Sequence, residues 1–212
     1  MTLSVDVFSD VICPWCYIGK RRLEKAIATL DRQQEVRVRW FPFQLNPQMP
    51  KEGTSRSEYR IAKFGSLERS QELDAKLVAV GETEGIHFAF DRIERTPNTQ
   101  GAHRLIWLAD KAGIQDAVVE ALFVGYFTEG RDISNRDTLL DVVAEAGLDR
   151  HKAEGVLNGD EGMEAIKEAD QQARRFRLEG VPFFVITGKI TLSGAQQPDA
   201  FLAAFNQEGA GR

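Results

Sequence analysis

The feature that most constrains this chain is its pair of cysteines, Cys13 and Cys16, the only two among 212 residues. A structural disulfide stabilises by joining distant segments, and a bridge across two intervening residues would restrict the unfolded chain very little. The pair therefore points to chemistry, and its surroundings say which. Leu3, Val5 and Val7 alternate with Ser4 and Asp6 before it, the signature of a strand. Leu23, Ala26, Ile27 and Leu30 recur after it at helical spacing. Pro14 suits the first position of that helix, where a missing N–H costs nothing. A Cys-x-x-Cys at a strand-to-helix junction is a redox signature. The unpaired N–H groups and positive dipole end of the helix favour thiolate over thiol, and the thiolate is the species that attacks disulfides. Cys13 is expected to be the exposed nucleophile and Cys16 the buried resolving thiol. Zinc would need four ligands, and the chain offers one cysteine pair and three scattered histidines, His87, His103 and His151. No metal is expected.

Val36, Val38 and Trp40 alternate again, and Pro42, Pro47 and Pro50 then interrupt regular structure. The opening segment thus reads strand, helix, strand. From about Ser55 to Leu178 the pattern is almost wholly helical, with one apolar stripe after another and glycine after most of them. Asp149 marks the start of a short helix, and Asn98 or Thr99 the start of the helix that carries Ala102, Leu105 and Ile106. Strand chemistry returns at 181–186, Thr187-Gly188 makes a hairpin turn into 189–192, and Phe201, Leu202 and Phe205 mark a final helix. The expected architecture is α/β, with residues 1–47 and 165–212 forming one discontinuous domain around a helical insertion at 48–164.

Pro182, just before the late strand, is the place for a cis bond from Val181, because proline lowers the cost of cis to about 0.5–1 kcal/mol. That bond would set the backbone of Val181 beside Cys13, where an extended substrate could pair with it. Pro14 and Trp15 would face the substrate, and His103 could face the cysteines and tune their protons. Phe41, Phe43, Phe183 and Phe184 could line a groove, although strand aromatics are usually core.

Acidic residues outnumber basic ones by 32 to 27, a net charge of −5, which argues against nucleic acid as a partner. Arg174, Arg175 and Arg177 could still form a local basic patch, but more simply a solvated face. No apolar run approaches the length of a membrane span. The opening MTLSVDVFSD has no basic or long apolar stretch, so a cytoplasmic location is the expectation.

Cys13-Pro14-Trp15-Cys16-Tyr17-Ile18-Gly19-Lys20 resembles the cytoplasmic, DsbA-like thioredoxin-fold proteins of the FrnE-like family. So do Pro97-Asn98-Thr99 with Ala102-His103-Arg104-Leu105, Tyr126-Phe127, Glu179 to Phe184, and Ser193-Gly194-Ala195-Gln196, in that order along nearly the whole chain. The resemblance implies a thioredoxin-like fold with a large helical insertion and thiol–disulfide oxidoreductase activity, with Cys13, Cys16 and Pro182 in the active site. It implies client proteins or low-molecular-weight thiols as partners, and no cofactor beyond the redox-active disulfide, with glutathione possible and an oligomer compatible. A neighbouring branch holds 2-hydroxychromene-2-carboxylate isomerases and kappa-class glutathione transferases, glutathione users with serine at the position of Cys13 and a Gly-x-Asp-Arg run after the last strand. Here the corresponding residues are Cys13 and Gly194-Ala195-Gln196-Gln197, so this isomerase-type chemistry is the runner-up reading. A peptide-binding chaperone using the same groove is a further alternative, and the intact dithiol counts against it.

Overall fold

The computed structural model describes residues 2–30, 35–176 and 178–210. Arg177 and the side chain of Arg174, two members of the possible basic patch, lie outside the described residues. In chain order the elements are β1 (Thr2–Ser9), α1 (Pro14–Ala28), β2 (Glu35–Pro42), β3 (Thr54–Ser55), α2 (Arg56–Phe64), α3 (Leu67–Thr83), β4 (Arg95–Thr96), α4 (Gln100–Lys111), α5 (Gln115–Phe127), α6 (Arg136–Glu145), α7 (Arg150–Asn158), α8 (Met163–Arg175), β5 (Phe183–Ile186), β6 (Ile190–Ser193) and α9 (Pro198–Ala210). The sheet order is β2-β1-β5-β6. β2 is parallel to β1, while β5 and β6 run antiparallel. The two ends of the chain thus build one sheet, and helices fill the sequence between them: a thioredoxin-like fold with a helical insertion. The expected junction at 164/165 falls within the first turn of α8.

Alternation along β1 assigns its two faces. Leu3, Val5 and Val7 join Phe184, Phe201 and Phe205 in the main core. The ring of Phe184 meets that of Phe201 edge-on at 4.8 Å. Phe8, on the opposite face, joins Ala173 of α8 and Val185, with Phe41, Phe43 and Phe183 packed alongside. Phe8 and Phe184 are core, and Phe41, Phe43 and Phe183 pack against it partly buried. The three residues 187–189 connect the paired Ile186 and Ile190, with positive φ at Thr187 and Gly188, 49° and 73°, and the Lys189 N–H donates to the Ile186 carbonyl at 3.0 Å.

Two charge clusters, centred on the buried Lys20 and on the buried Arg22–Glu84 pair, fasten the inserted helices to α1. Lys20, 2% exposed, meets Glu24 of its own helix and Asp116 and Glu120 of α5. Arg22 and Lys25 both bind Glu84 at the end of α3, and Arg22 also donates to the Ala195 carbonyl after β6. A paired, hydrogen-bonded burial of this kind avoids the penalty of an isolated charge.

Candidate active site

The cysteines sit where the sequence places them, at the start of α1. Cys13 is the N-cap residue, in extended conformation, and Pro14 occupies the first turn. The Cys13 N–H donates to the Asp10 carbonyl at 3.0 Å, and the Cys13 carbonyl accepts from the Cys16 N–H at 3.0 Å. These bonds fix the bend from strand to helix. Both thiols are free.

Cys16 is wholly buried, and burial pushes its thiol well above the ordinary value. The hydrogen bond and charge of Cys13 add to that shift, while the Ser9 hydroxyl and the Asp10 backbone act the other way. Cys16 therefore holds its proton. Cys13 departs from the expected exposure: it is only 5% exposed. The reason is local. Its sulfur faces the Val181 carbonyl at 3.5 Å and lies at the base of a cavity, with the half-exposed indole of Trp15 beside it.

The Val181–Pro182 peptide bond is cis. Pro182 is buried and packs on α1 at Gly19, where an added Cβ would stand 3.0 Å from the proline ring. Helix, proline and dithiol are thus brought together by residues 168 positions apart in sequence.

The cavity next to Cys13 has a volume of about 380 Å³. Pro14, Trp15 and Val181 line it with Cys13, so four of the expected site residues share one surface. His103 is not among them. It is 2% exposed, with Nε2 3.4 Å from Asp10 Oδ1, and it lines a separate crevice against Ser9, Val11 and Trp40. α4 carries it to the far side of the β1–α1 bend, where it faces Asp10 and not the substrate opening. Thr99 occupies the N-cap position of that helix without a side-chain bond, and the preceding Asn98 supplies one, its Oδ1 accepting from the Gln100 N–H at 2.9 Å. Tyr126, at the cavity wall, is pushed up to about 12 by burial, so it stays neutral and donates to the Arg95 carbonyl.

The sequence reading missed the opposite wall, which contains Arg56, Arg60 and Lys63 of α2 and Lys76 of α3. Its signal was present: Arg56, Arg60 and Lys63 follow the i, i+4, i+7 spacing of one helix face. Among the described residues no group of three or more His, Cys, Asp or Glu could hold a metal ion. None of their helices is long and apolar enough to cross a membrane.

A thioredoxin-like sheet with a dithiol at a helix start, opposite a cis-proline, defines a class of protein. The chain belongs to the DSBA-like thioredoxin domain family, whose model matches residues 4–206. It is similar to a probable DsbA oxidoreductase from Streptomyces coelicolor, 31% identical, with a TM-score of 0.90 over 99% of this chain and 91% of that one. A 2-hydroxychromene-2-carboxylate isomerase shares the fold at 18% identity and TM-score 0.71, covering 97% of this chain and 96% of that one. So does the cytosolic disulfide reductase DsbM from Pseudomonas aeruginosa, in a structure with GSH, at 18% identity and TM-score 0.66 over 97% and 98% of the two chains.

Proposed function

We propose that this protein is a thiol–disulfide oxidoreductase that exchanges disulfides with protein or small thiol substrates through Cys13 and Cys16. The observation that carries the reading is the asymmetry of the dithiol. Cys13 lines a cavity open to substrate, whereas Cys16 is wholly buried and held as the thiol. Family membership supports the general activity, and the FrnE-like branch is the one its motifs fit.

The chemistry proceeds in two exchanges. The Cys13 thiolate attacks one sulfur of a substrate disulfide, forms a mixed disulfide and expels the other sulfur as a thiolate. Cys16 then loses its proton to that leaving group or to solvent and attacks the Cys13 sulfur. The Cys13–Cys16 disulfide forms, and the second substrate thiol departs. The dithiol is oxidised by two electrons and the substrate reduced by two; the reverse sequence oxidises a substrate dithiol. Val181 offers its backbone beside the reacting sulfur, where an extended segment can align by strand addition. No bound cofactor takes part, and glutathione enters, if at all, as a substrate thiol.

Dithiothreitol-driven reduction of insulin, followed by turbidity, tests the reading. Wild type accelerates precipitation and Cys13→Ser does not. Equal activity of the two proteins would reject the dithiol mechanism. Suppression of precipitation by both would favour the chaperone, and glutathione-dependent isomerisation that survives Cys16→Ser would favour the isomerase.

A further inference from the structure

The cavity beside Cys13 is chemically lopsided. Its inner wall is apolar, built from residues such as Phe64, Leu77, Phe90 and Phe127. Its other wall presents Arg56, Arg60, Lys63 and Lys76, and no carboxylate lines it. Arg56 and Arg60 share the carboxylate of Asp74, which does not line the cavity. Lys63 rests against the Tyr59 ring and donates to its hydroxyl at 2.8 Å. Lys76 is exposed and has no ion pair among the described residues. Four cations against one shared acid leave a net positive wall, in a protein whose overall charge is −5.

We infer that this cavity selects low-molecular-weight disulfides, and their thiols, that carry a carboxylate on an apolar body. The inference rests on the proposed oxidoreductase reading and names its substrate class. The volume of about 380 Å³ falls in the range of small-molecule pockets. Apolar walls hold the body of such a compound, and the cations orient its carboxylate, with the scissile bond at Cys13. Charge complementarity of this kind concentrates an anionic substrate at the mouth and disfavours a cationic one. The exchange balances as above: one substrate disulfide and the dithiol give two substrate thiols and the Cys13–Cys16 disulfide. A second pair of thiols of the same class returns the enzyme to its reduced form.

The test is single-turnover reduction of two aromatic disulfides by the reduced protein, the dianionic dithiobis(nitrobenzoate) and the neutral dithiodipyridine. Dithiothreitol, an uncharged dithiol, gives the reference ratio of their rates. The wild-type ratio of anionic to neutral rate exceeds the reference by about tenfold, the size of one charge-assisted contact. Lys76→Gln and Lys63→Gln each lower that ratio severalfold, as does high salt. Lys152→Gln, on α7 outside the cavity, leaves it unchanged. A wild-type ratio equal to the reference, or one insensitive to both cavity lysines, overturns the inference. So does a result in which the two variants slow insulin reduction and leave the probe ratio untouched, since the occupant is then a polypeptide. Loss of neutral-probe reduction in Cys13→Ser is read separately. If the neutral probe reacts through Cys13 but the ratio is flat, the oxidoreductase reading stands and the substrate class falls. If neither probe reacts through Cys13, both fall.

Discussion

His103 and Asp10 face each other in the interior directly behind the dithiol, with Nε2 and Oδ1 3.4 Å apart. Neither atom has a hydrogen-bond partner among the described residues, so each is the other's polar company. The second oxygen of Asp10 accepts from the Leu45 N–H, and its backbone carbonyl accepts from Cys13. Asp10 therefore ties the loop after β2 to the bend that carries the nucleophile, and His103 faces its remaining oxygen.

Removing one member leaves a buried polar group without its polar neighbour, at a cost of about 1–3 kcal/mol. His103→Leu is expected to lower stability by that order, measured as a shift in the urea midpoint with an unchanged slope. A loss below about 1 kcal/mol, the usual range of a surface substitution, would contradict the role given to the pair.

Gly19 predicts a second local effect. A Cβ there would approach Pro182 at 3.0 Å and the Phe184 ring at 3.1 Å, both buried groups with little room to withdraw. Gly19→Ala would gain about 1 kcal/mol in helix propensity at an unhindered site. Here the clash outweighs it, and overpacking of this kind costs about 1–3 kcal/mol. The variant is expected to be less stable than wild type in chemical denaturation. A more stable variant would show that the proline moves aside freely.

Glu84 gives a pH-dependent prediction. Burial acts to raise its carboxyl, but the hydrogen bonds from Lys25 and Arg22 outweigh burial and hold it below the ordinary glutamate value. A carboxyl lowered on folding contributes stability that is present above its unfolded value, about 4.3, and lost as pH falls through the lower folded value. At neutral pH Glu84→Gln should be less stable by about 1.5–3 kcal/mol, the range for hydrogen bonds to charged groups. The difference should narrow steadily below about pH 4.3. Urea titrations of both proteins across that range check it, and a gap that does not change with pH would contradict the clasp.

Much of the site was legible in the sequence because its signals are local. Alternation fixed β1, Pro14 marked the helix start, and Thr187-Gly188 marked the hairpin. Val181-Pro182 stood out because the Cys pair gave it a context. Other features were not legible, since they arise only when distant segments meet. The two-residue strands β3 and β4 are too short to show a period. The basic wall comes from α2 and α3, 40 or more residues beyond Cys13, and no spacing rule joins them. His103 was singled out, but helical pattern alone could not say which side of the bend it would face. Asp10 passed unnoticed, although an acid between an apolar strand and the dithiol is itself a sign of a buried polar contact.

The direction of electron flow follows from compartment. In the expected cytoplasm, extracted glutathione pools poise at about −220 to −260 mV. Even a strongly oxidising pair near about −120 mV would then sit almost wholly reduced, because each 30 mV or so is tenfold. The protein should therefore act as a reductase or isomerase in unstressed cells. Acid quenching and thiol labelling should find Cys13 and Cys16 mainly as thiols. A pair recovered mainly as the disulfide would overturn this direction or the compartment.

The division of labour between Cys13 and Cys16 is tested most directly by intact-mass analysis of the two single variants after exposure to a disulfide substrate. Cys16→Ser is predicted to accumulate a stable adduct of one substrate thiol on Cys13, since the resolving attack is gone. Cys13→Ser should remain unmodified over the same time, because Cys16 is buried and stays protonated. An adduct that forms as readily on Cys13→Ser, or on neither variant, would contradict the account.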